Sequence, residues 1–257
     1  MPAALPDRAA FEVRAVGWRA PLDWLARGAA DLRRRPGPGL LHGLACALFG
    51  ALIWGFAHDL FWVLAGAFSG FLLVAPIVAT GLYAVSRELE RGRAGGLAEC
   101  WRVWRGHDAR LVHFGLLLAF AGTGWVLTSA SLVTAFAGVP IERPLDFLRV
   151  IVLAERGWLF EIWLVLGALL AAPVFASSVV AIPLLLDTRA SVLEAVLTSW
   201  RVVLASPGPL ALWAALIMAL TLLGMALALL GLIVVVPWLA HASWHAYRDL
   251  VVGGAGR

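Results

Sequence analysis

Long runs without a charged residue dominate the chain: 36–58, 60–86, 111–141, 162–186 and 202–247. A helix that crosses a bilayer needs about 20 mostly apolar residues, so each of the first four runs fits one span. The last run would form a single helix roughly 69 Å long, more than twice the thickness of the hydrocarbon layer. It must therefore turn back on itself, and the turn is expected between Gly224 and Gly231.

The pattern predicts an all-α polytopic membrane bundle of six transmembrane helices. We place the spans at about 38–57, 60–85, 111–137, 162–186, 208–226 and 229–248. An Arg-rich cytoplasmic segment with an amphipathic helix, residues 1–35, precedes this membrane domain of residues 36–250. A flexible cytoplasmic tail, residues 251–257, follows it.

Composition supports the same class. Hydrophobic residues make up 62% of the chain and charged residues 14%, and the mean hydropathy is +0.89. A soluble domain is about half apolar and a quarter charged, so this class is excluded. The basic residues flank the apolar runs instead of forming a basic domain, which favours contacts with lipid head groups and argues against nucleic-acid binding.

The basic residues also predict the orientation. With both termini in the cytoplasm, 17 of the 20 basic residues lie on that side, and only Arg143, Arg149 and Arg156 lie outside. Positive charge is enriched in cytoplasmic loops. We therefore expect a multi-pass protein of the bacterial inner membrane, with a retained first span and no cleavable signal peptide. Cys46 and Cys100 are too few for a disulfide framework.

A repeat organises the chain. The intervals from Leu22 to Pro36, from Leu97 to Leu111 and from Leu193 to Pro207 are equal in length, and each leads into an apolar run. Apolar residues recur at helical spacing in each interval, with Arg on the other face, which indicates a helix at the membrane surface. An ordinary loop helix packed under the bundle is an equal alternative. Either way, a surface helix followed by a transmembrane hairpin is expected three times.

The second span of each hairpin carries a proline: Pro76, Pro183 and Pro237. A polar residue stands four positions after each proline: Thr80, Asp187 and His241. Proline in a membrane helix frees a carbonyl group one turn back, which neighbouring polar groups must satisfy. Three such kinks at similar depth would bring the polar residues towards a shared axis, where they would form a binding site together with His245.

His241 and His245 lie one helical turn apart and share a face of the last span. We favour a structural role, as hydrogen-bonding groups near the membrane interface, and expect no bound cofactor. Two alternatives remain. One is an ion pair or proton relay with Asp187, and the other is a haem or metal site in which His42 and His113 are possible second ligands.

Two patterns of small residues, Gly39 with Gly43 and Gly66 with Gly70, favour close helix packing. The sequence contains no nucleophile elbow, P-loop, HExxH motif or dinucleotide fingerprint. We therefore do not expect an enzyme.

Four segments resemble the signatures of domain-of-unknown-function family 2189: residues 21–36, 174–187, 194–207 and 241–250. The resemblance implies an integral membrane protein of proteobacteria. Members of this family are often labelled as cytochrome c oxidase subunits, which implies a respiratory association without an established activity.

Two functional hypotheses follow. The first is a non-enzymatic accessory or assembly protein of a membrane complex, with a respiratory oxidase as the partner that the resemblance implies. The second is a small-solute or proton-coupled carrier with a polar site at Thr80, Asp187 and His241. Membrane lipids are the expected partners in both.

Overall fold

The computed structural model describes residues 11–106, 108–154 and 157–252, and within them all side chains except those of residues 68–69 and 72–78. The chain forms a helical bundle, as the apolar runs predict. Its helices are α1 (Ala20–Arg34), α2 (Pro36–Ala57), α3 (Phe61–Val78), α4 (Thr80–Glu90), α5 (Leu97–Arg105), α6 (Ala109–Phe136), α7 (Pro144–Phe147), a π-helix (Leu148–Val152), α8 (Leu159–Ser178), α9 (Ala181–Asp187), α10 (Val192–Ala205), α11 (Pro207–Ala226) and α12 (Leu232–Leu250).

Two short strands join the ends of the described chain. β1 (Glu12–Val13) pairs antiparallel with β2 (Val251–Val252), and the Arg14 amide donates to the Leu250 carbonyl at 2.9 Å. Val251 and Val252 were expected in a flexible tail and instead form part of this pair. Residues 253–257, the rest of that expected tail, lie outside the described residues, as do residues 1–10 of the Arg-rich segment.

Four segments of the described chain are long and apolar enough to cross a membrane: α2, α6, the α8–α9 segment and α11. The sequence predicted six spans, and the other two correspond to α3–α4 and to α12. α12 is less apolar because its C-terminal half carries two histidines, Arg248 and Asp249. Whether these polar side chains face the bundle or the lipid decides whether α12 can span the membrane.

Local sequence explains where the long helices begin. Pro36 and Pro207 each occupy the first turn, where the missing N–H costs nothing and the fixed φ suits a helix. Asp108 caps α6 by accepting a hydrogen bond from the Arg110 amide at 2.9 Å. Ser191 caps α10 through the Glu194 amide at 3.2 Å.

Two breaks within helical segments and one tight turn between helices shape the bundle. α3 gives way to α4 at Ala79, and α8 gives way to α9 at residues 179–180, three residues before Pro183. Helix α12, in contrast, continues through Pro237. The turn between α11 and α12 lies between Gly224 and Gly231, as the run length requires. The two glycines pack so closely that a Cβ on Gly231 would come within 2.6 Å of the Gly224 Cα.

α12 lies at the centre of the core, packed against α1, α2, α4 and α11. Two glycines permit the closest approaches. A Cβ on Gly28 of α1 would stand 2.6 Å from the Ala242 amide nitrogen, and one on Gly43 of α2 would stand 2.2 Å from the Ile233 carbonyl oxygen. The Gly39–Gly43 pattern thus serves packing between α2 and α12, as predicted. The Gly66–Gly70 pattern does not produce a comparable approach, since a Cβ on Gly70 would meet no atom of the described residues within 4 Å.

The segment between α6 and α8 connects two predicted spans, and the sequence predicted no helix in it. It instead forms α7 and the π-helix, which place Ile151 in a small apolar cluster with Val133, Ile141 and Leu159. This cluster is separate from the main core around Trp24, Trp213 and Trp244.

Candidate functional site

One end of the bundle, called here the polar end, is formed by α1 and by the C-terminal turns of α4, α9 and α12. A chain of hydrogen bonds runs through it. His245 Nε2 lies 2.8 Å from Asp31 Oδ2, Ser86 Oγ donates to the same oxygen at 2.8 Å, and His241 Nδ1 lies 2.7 Å from Ser86 Oγ. We call these four residues the relay. Ser86 and His241 are fully buried and Asp31 nearly so, so the relay reaches from the polar end into the protein interior.

The proton positions in the relay follow from its chemistry. A carboxylate only accepts hydrogen bonds, so Ser86 must donate its single proton to Asp31. Ser86 Oγ therefore accepts from His241, which places a proton on His241 Nδ1. In the neutral imidazole, Nε2 then carries a lone pair. That atom is buried and has no hydrogen-bond partner in the described part of the chain.

The Asp31 side chain is almost completely buried, which is unusual for an acid. Burial raises the pKa of its carboxyl group, but the hydrogen bonds from His245 and Ser86 and the nearby imidazoles lower it more, so the net pKa lies below 3.8. Asp31 is thus ionised at neutral pH and supplies the negative charge of the relay.

A small polar cavity of about 270 Å³ gives the relay its contact with the surface. Asp31 and His245 line it together with Arg27, Arg34 and Arg248. His245 is the more accessible end, with 14% of its side chain exposed, whereas the Asp31 side chain is 7% exposed. A proton that enters the cavity therefore meets His245 and Asp31 first and His241 last.

A second buried imidazole lies on α2. His42 Nδ1 is 2.8 Å from the Pro38 carbonyl oxygen, to which it must donate. Its Nε2 therefore also carries a lone pair, and this buried atom also lacks a partner among the described residues. The imidazole packs against Trp104 of α5, with ring centroids 5.0 Å apart.

Asp187 belongs to a different cluster at the polar end. Its side chain is 3% exposed and accepts a hydrogen bond from the Tyr247 hydroxyl at 3.0 Å. Arg87 and Arg248 lie 3.8 and 3.9 Å from its two oxygens. The sequence placed Asp187 beside His241, but the structure gives these two residues separate sets of partners.

Arginines also satisfy the carbonyl groups around the end of α9. Arg110 donates to the carbonyl groups of Leu185 at 3.0 Å and Ala190 at 2.6 Å, and Arg87 donates to that of Leu186 at 3.3 Å. The Leu185 and Leu186 carbonyls belong to the last turn of α9, so they need donors from outside the helix. The cluster around Asp187 therefore anchors α9 to α4, α6 and α12.

The remaining candidates are dispersed. Thr80 is buried at the first residue of α4, six residues before Ser86, and His113 is exposed on α6. Cys46 and Cys100 are free thiols. In the described part of the chain, no group of three or more His, Cys, Asp or Glu side chains is placed to hold a metal ion.

Sequence reasoning missed Asp31 and Ser86. A signal for Asp31 was present, since it follows Trp24 and Gly28 at helical spacing on the face of α1 that is buried. An acid on an apolar stripe needs partners. Ser86 gave no such signal, because serine is common near the ends of helices.

An apolar groove between α2, α3 and α5 has a volume of about 1070 Å³. Phe49, Phe71, Trp101 and Trp104 line it, together with His42, Cys46 and Cys100. We call it the apolar groove. It is open on one side, where α2 and α5 present exposed apolar side chains such as Phe49 and Trp101.

Long apolar helices around a core, with large apolar side chains on the outside, define an α-helical integral membrane protein. The family follows from comparison of sequences: residues 63–187 match the model of the domain-of-unknown-function family 2189 (DUF2189), described as a predicted integral membrane protein. This stretch of the chain is similar to that family, as the resemblance indicated. Of the four segments that carried the resemblance, residues 174–187 lie inside the matched stretch. No curated protein and no solved structure matches the chain.

Proposed function

We propose that the chain crosses the bacterial inner membrane six times as three hairpin repeats, each introduced by a surface helix. The order of elements supports this arrangement, since α1, α5 and α10 each precede two long helical segments. The polar residues of α12 support its being a span, because His241 and Tyr247 are buried inside the bundle. The β1–β2 pair brings both ends of the described chain together, which supports an even number of crossings. The excess of arginines supports the cytoplasm as the side on which those ends lie.

Within this architecture the protein acts as a non-enzymatic, proton-coupled or proton-conducting carrier. The relay is the observation that carries this proposal. Polar residues inside a membrane bundle are costly and mark ion or proton paths. Here four of them link a polar cavity to a buried imidazole nitrogen through hydrogen bonds of 2.7 to 2.8 Å. The polar site of the carrier is therefore centred on Asp31, Ser86 and His241, and Thr80 and Asp187 support the helices around it.

Proton flux into liposomes tests this function directly. Purified protein is reconstituted with a pH-sensitive dye inside, and a pH step is applied in the presence of a potassium ionophore. We expect flux above that of empty liposomes, and its loss in Asp31→Asn and in Ser86→Ala, which break the relay at adjacent links. Two variants are the matched controls: Asp23→Asn, at an exposed acid on the same helix, and Ser178→Ala, at a serine that donates to carbonyl groups of its own helix. Flux that survives in both relay variants would refute the proposal.

The apolar groove favours a second function, that of an accessory or assembly protein of a membrane complex such as a respiratory oxidase. Its lining combines aromatic side chains from two long helices and from α5, which suits a transmembrane helix of a partner. Gly70→Trp would fill the groove, whereas Gly55→Trp, at an open position away from it, would not. If this function holds, an oxidase complex co-purifies with the wild type and with Gly55→Trp, and is lost with Gly70→Trp.

A further inference from the structure

Two imidazole nitrogens stand out because they are buried and have no partner in the described part of the chain: Nε2 of His42 and Nε2 of His241. In both residues the other ring nitrogen donates a hydrogen bond, from His42 to a backbone carbonyl group and from His241 to Ser86. A buried nitrogen lone pair without a donor is unfavourable. Both imidazoles are therefore fixed in the tautomer that presents an electron pair to a ligand.

The packing of α2 on α12 brings the two rings towards one place. Gly39 of α2 meets Pro237 of α12, and Gly43 meets Ile233 one turn further along, so the helices run antiparallel. Helical side chains lean towards the N-terminus of their own helix. His42 thus leans back towards Gly39, as its bond to Pro38 shows, and His241 leans back towards Pro237.

The rings lean towards the same contact from opposite directions along the two helices. The contact between α2 and α12 leaves no room for a flat macrocycle between them, because Gly43 lies against the Ile233 backbone. The ligand that the two nitrogens share must therefore be small, which argues against haem at this place.

We propose that His42 Nε2 and His241 Nε2 form a two-nitrogen site for a late transition-metal ion, with Cu(I) as the ion that fits best. Imidazole is the commonest protein ligand for such ions. A Cu(I) ion is satisfied by two ligands, and its single positive charge costs less to bury than a double charge. Two neutral imidazoles give the site no charge of its own.

The hydrogen-bond partners of the other ring nitrogens support the site. A metal-binding histidine usually donates its other N–H to an oxygen atom, which fixes the ring and strengthens the ligand. Pro38 does this for His42, and Ser86 does it for His241. Ser86 in turn is bonded to the ionised Asp31, whose negative charge balances the ion. Asp31 and Ser86 are thus positioning residues for the metal ligand.

A Cu(I) titration under reducing conditions tests the site. The purified protein competes with a chromogenic Cu(I) chelator, and we expect it to withdraw one equivalent. His42→Gln and His241→Gln should each abolish this binding, whereas Asp31→Asn should weaken it about 10- to 100-fold, as loss of an outer-shell partner does. His113→Gln, at an exposed histidine on α6, is the control and should bind like the wild type. Binding that persists in either ligand variant would overturn the proposal.

A measurement on the wild type guards against variants that fail to fold. X-ray absorption of the copper-loaded protein should show two imidazole nitrogens and no sulfur ligand. A sulfur ligand would show that the ion binds Cys46 or Cys100. No binding at all would mean that a water molecule, not a metal ion, bridges the two nitrogens. Either result overturns the proposal. The titration needs no proton gradient, so the metal site can fail while proton flux persists, and the reverse also holds.

Discussion

Replacing Asp31 measures how much the relay stabilises the protein. The Asp31 carboxylate accepts two hydrogen bonds of 2.8 Å, from Ser86 and His245. A hydrogen bond to a charged group contributes about 2 kcal/mol, roughly twice the contribution of a neutral one. Asp31→Asn removes the charge but keeps an acceptor oxygen, so it should cost about 2 kcal/mol. Asp31→Ala removes both bonds and leaves two donors without a partner, which should cost about 4 kcal/mol.

Thermal unfolding in mild detergent, followed by tryptophan fluorescence, tests these values. For a chain of this size, 1 kcal/mol corresponds to roughly 2–4 °C in Tm. We therefore expect Tm to fall by about 4–8 °C for Asp31→Asn and by about twice that for Asp31→Ala. Asp23→Asn lies on the same helix with its side chain exposed and should melt like the wild type. The reasoning is refuted if Asp31→Asn lowers Tm no more than this control does.

Three further predictions concern packing, pH and thiol chemistry. Gly43→Ala should lower the free energy of unfolding by about 1–3 kcal/mol because its Cβ would clash with the Ile233 backbone. Gly55→Ala, with open space around it, should leave that free energy unchanged. Equal effects of the two variants in denaturant titrations would contradict the packing of α2 on α12. Because the pKa of Asp31 is lowered in the folded protein, the stabilisation that its carboxylate contributes is complete above about pH 4 and is lost as pH falls through the folded-state pKa. The Tm of the wild type should therefore drop more steeply below pH 4 than the Tm of Asp31→Asn. Burial raises the pKa of the Cys100 thiol to about 11, so at pH 8 only about one thiol in a thousand is ionised; iodoacetamide should leave Cys100 unmodified until the protein is denatured, and mass spectrometry would detect any earlier reaction.

Features set by local sequence were predictable. Pro36 and Pro207 begin helices because proline suits a first turn, and the turn between Gly224 and Gly231 follows from the length of the last apolar run. The contact of Gly39 and Gly43 with α12 follows from the absence of side chains that would separate the helices.

The candidate site was less predictable because it depends on contacts between distant parts of the chain. Ser86 meets Asp31 across 55 positions and His241 across 155, and no spacing rule relates residues so far apart. A polar residue does follow each of the three prolines at an interval of four positions, yet these polar residues do not form one site in the structure. Tyr247 and two arginines surround Asp187, and their hydrogen bonds and charges hold it away from the relay.

The extensive contact between α1 and α12 has a consequence for biosynthesis. α1 leaves the ribosome long before α12 is synthesised. Trp24 of α1 hydrogen-bonds to Asp249, and Trp238 of α12 donates to the Leu25 carbonyl group, so the apolar side of α1 lacks much of its native cover until α12 has been made. During insertion that side must rest on the lipid surface or on a chaperone. A nascent chain stalled before α12 would expose a binding site for such helpers, and docking of α12 would close it.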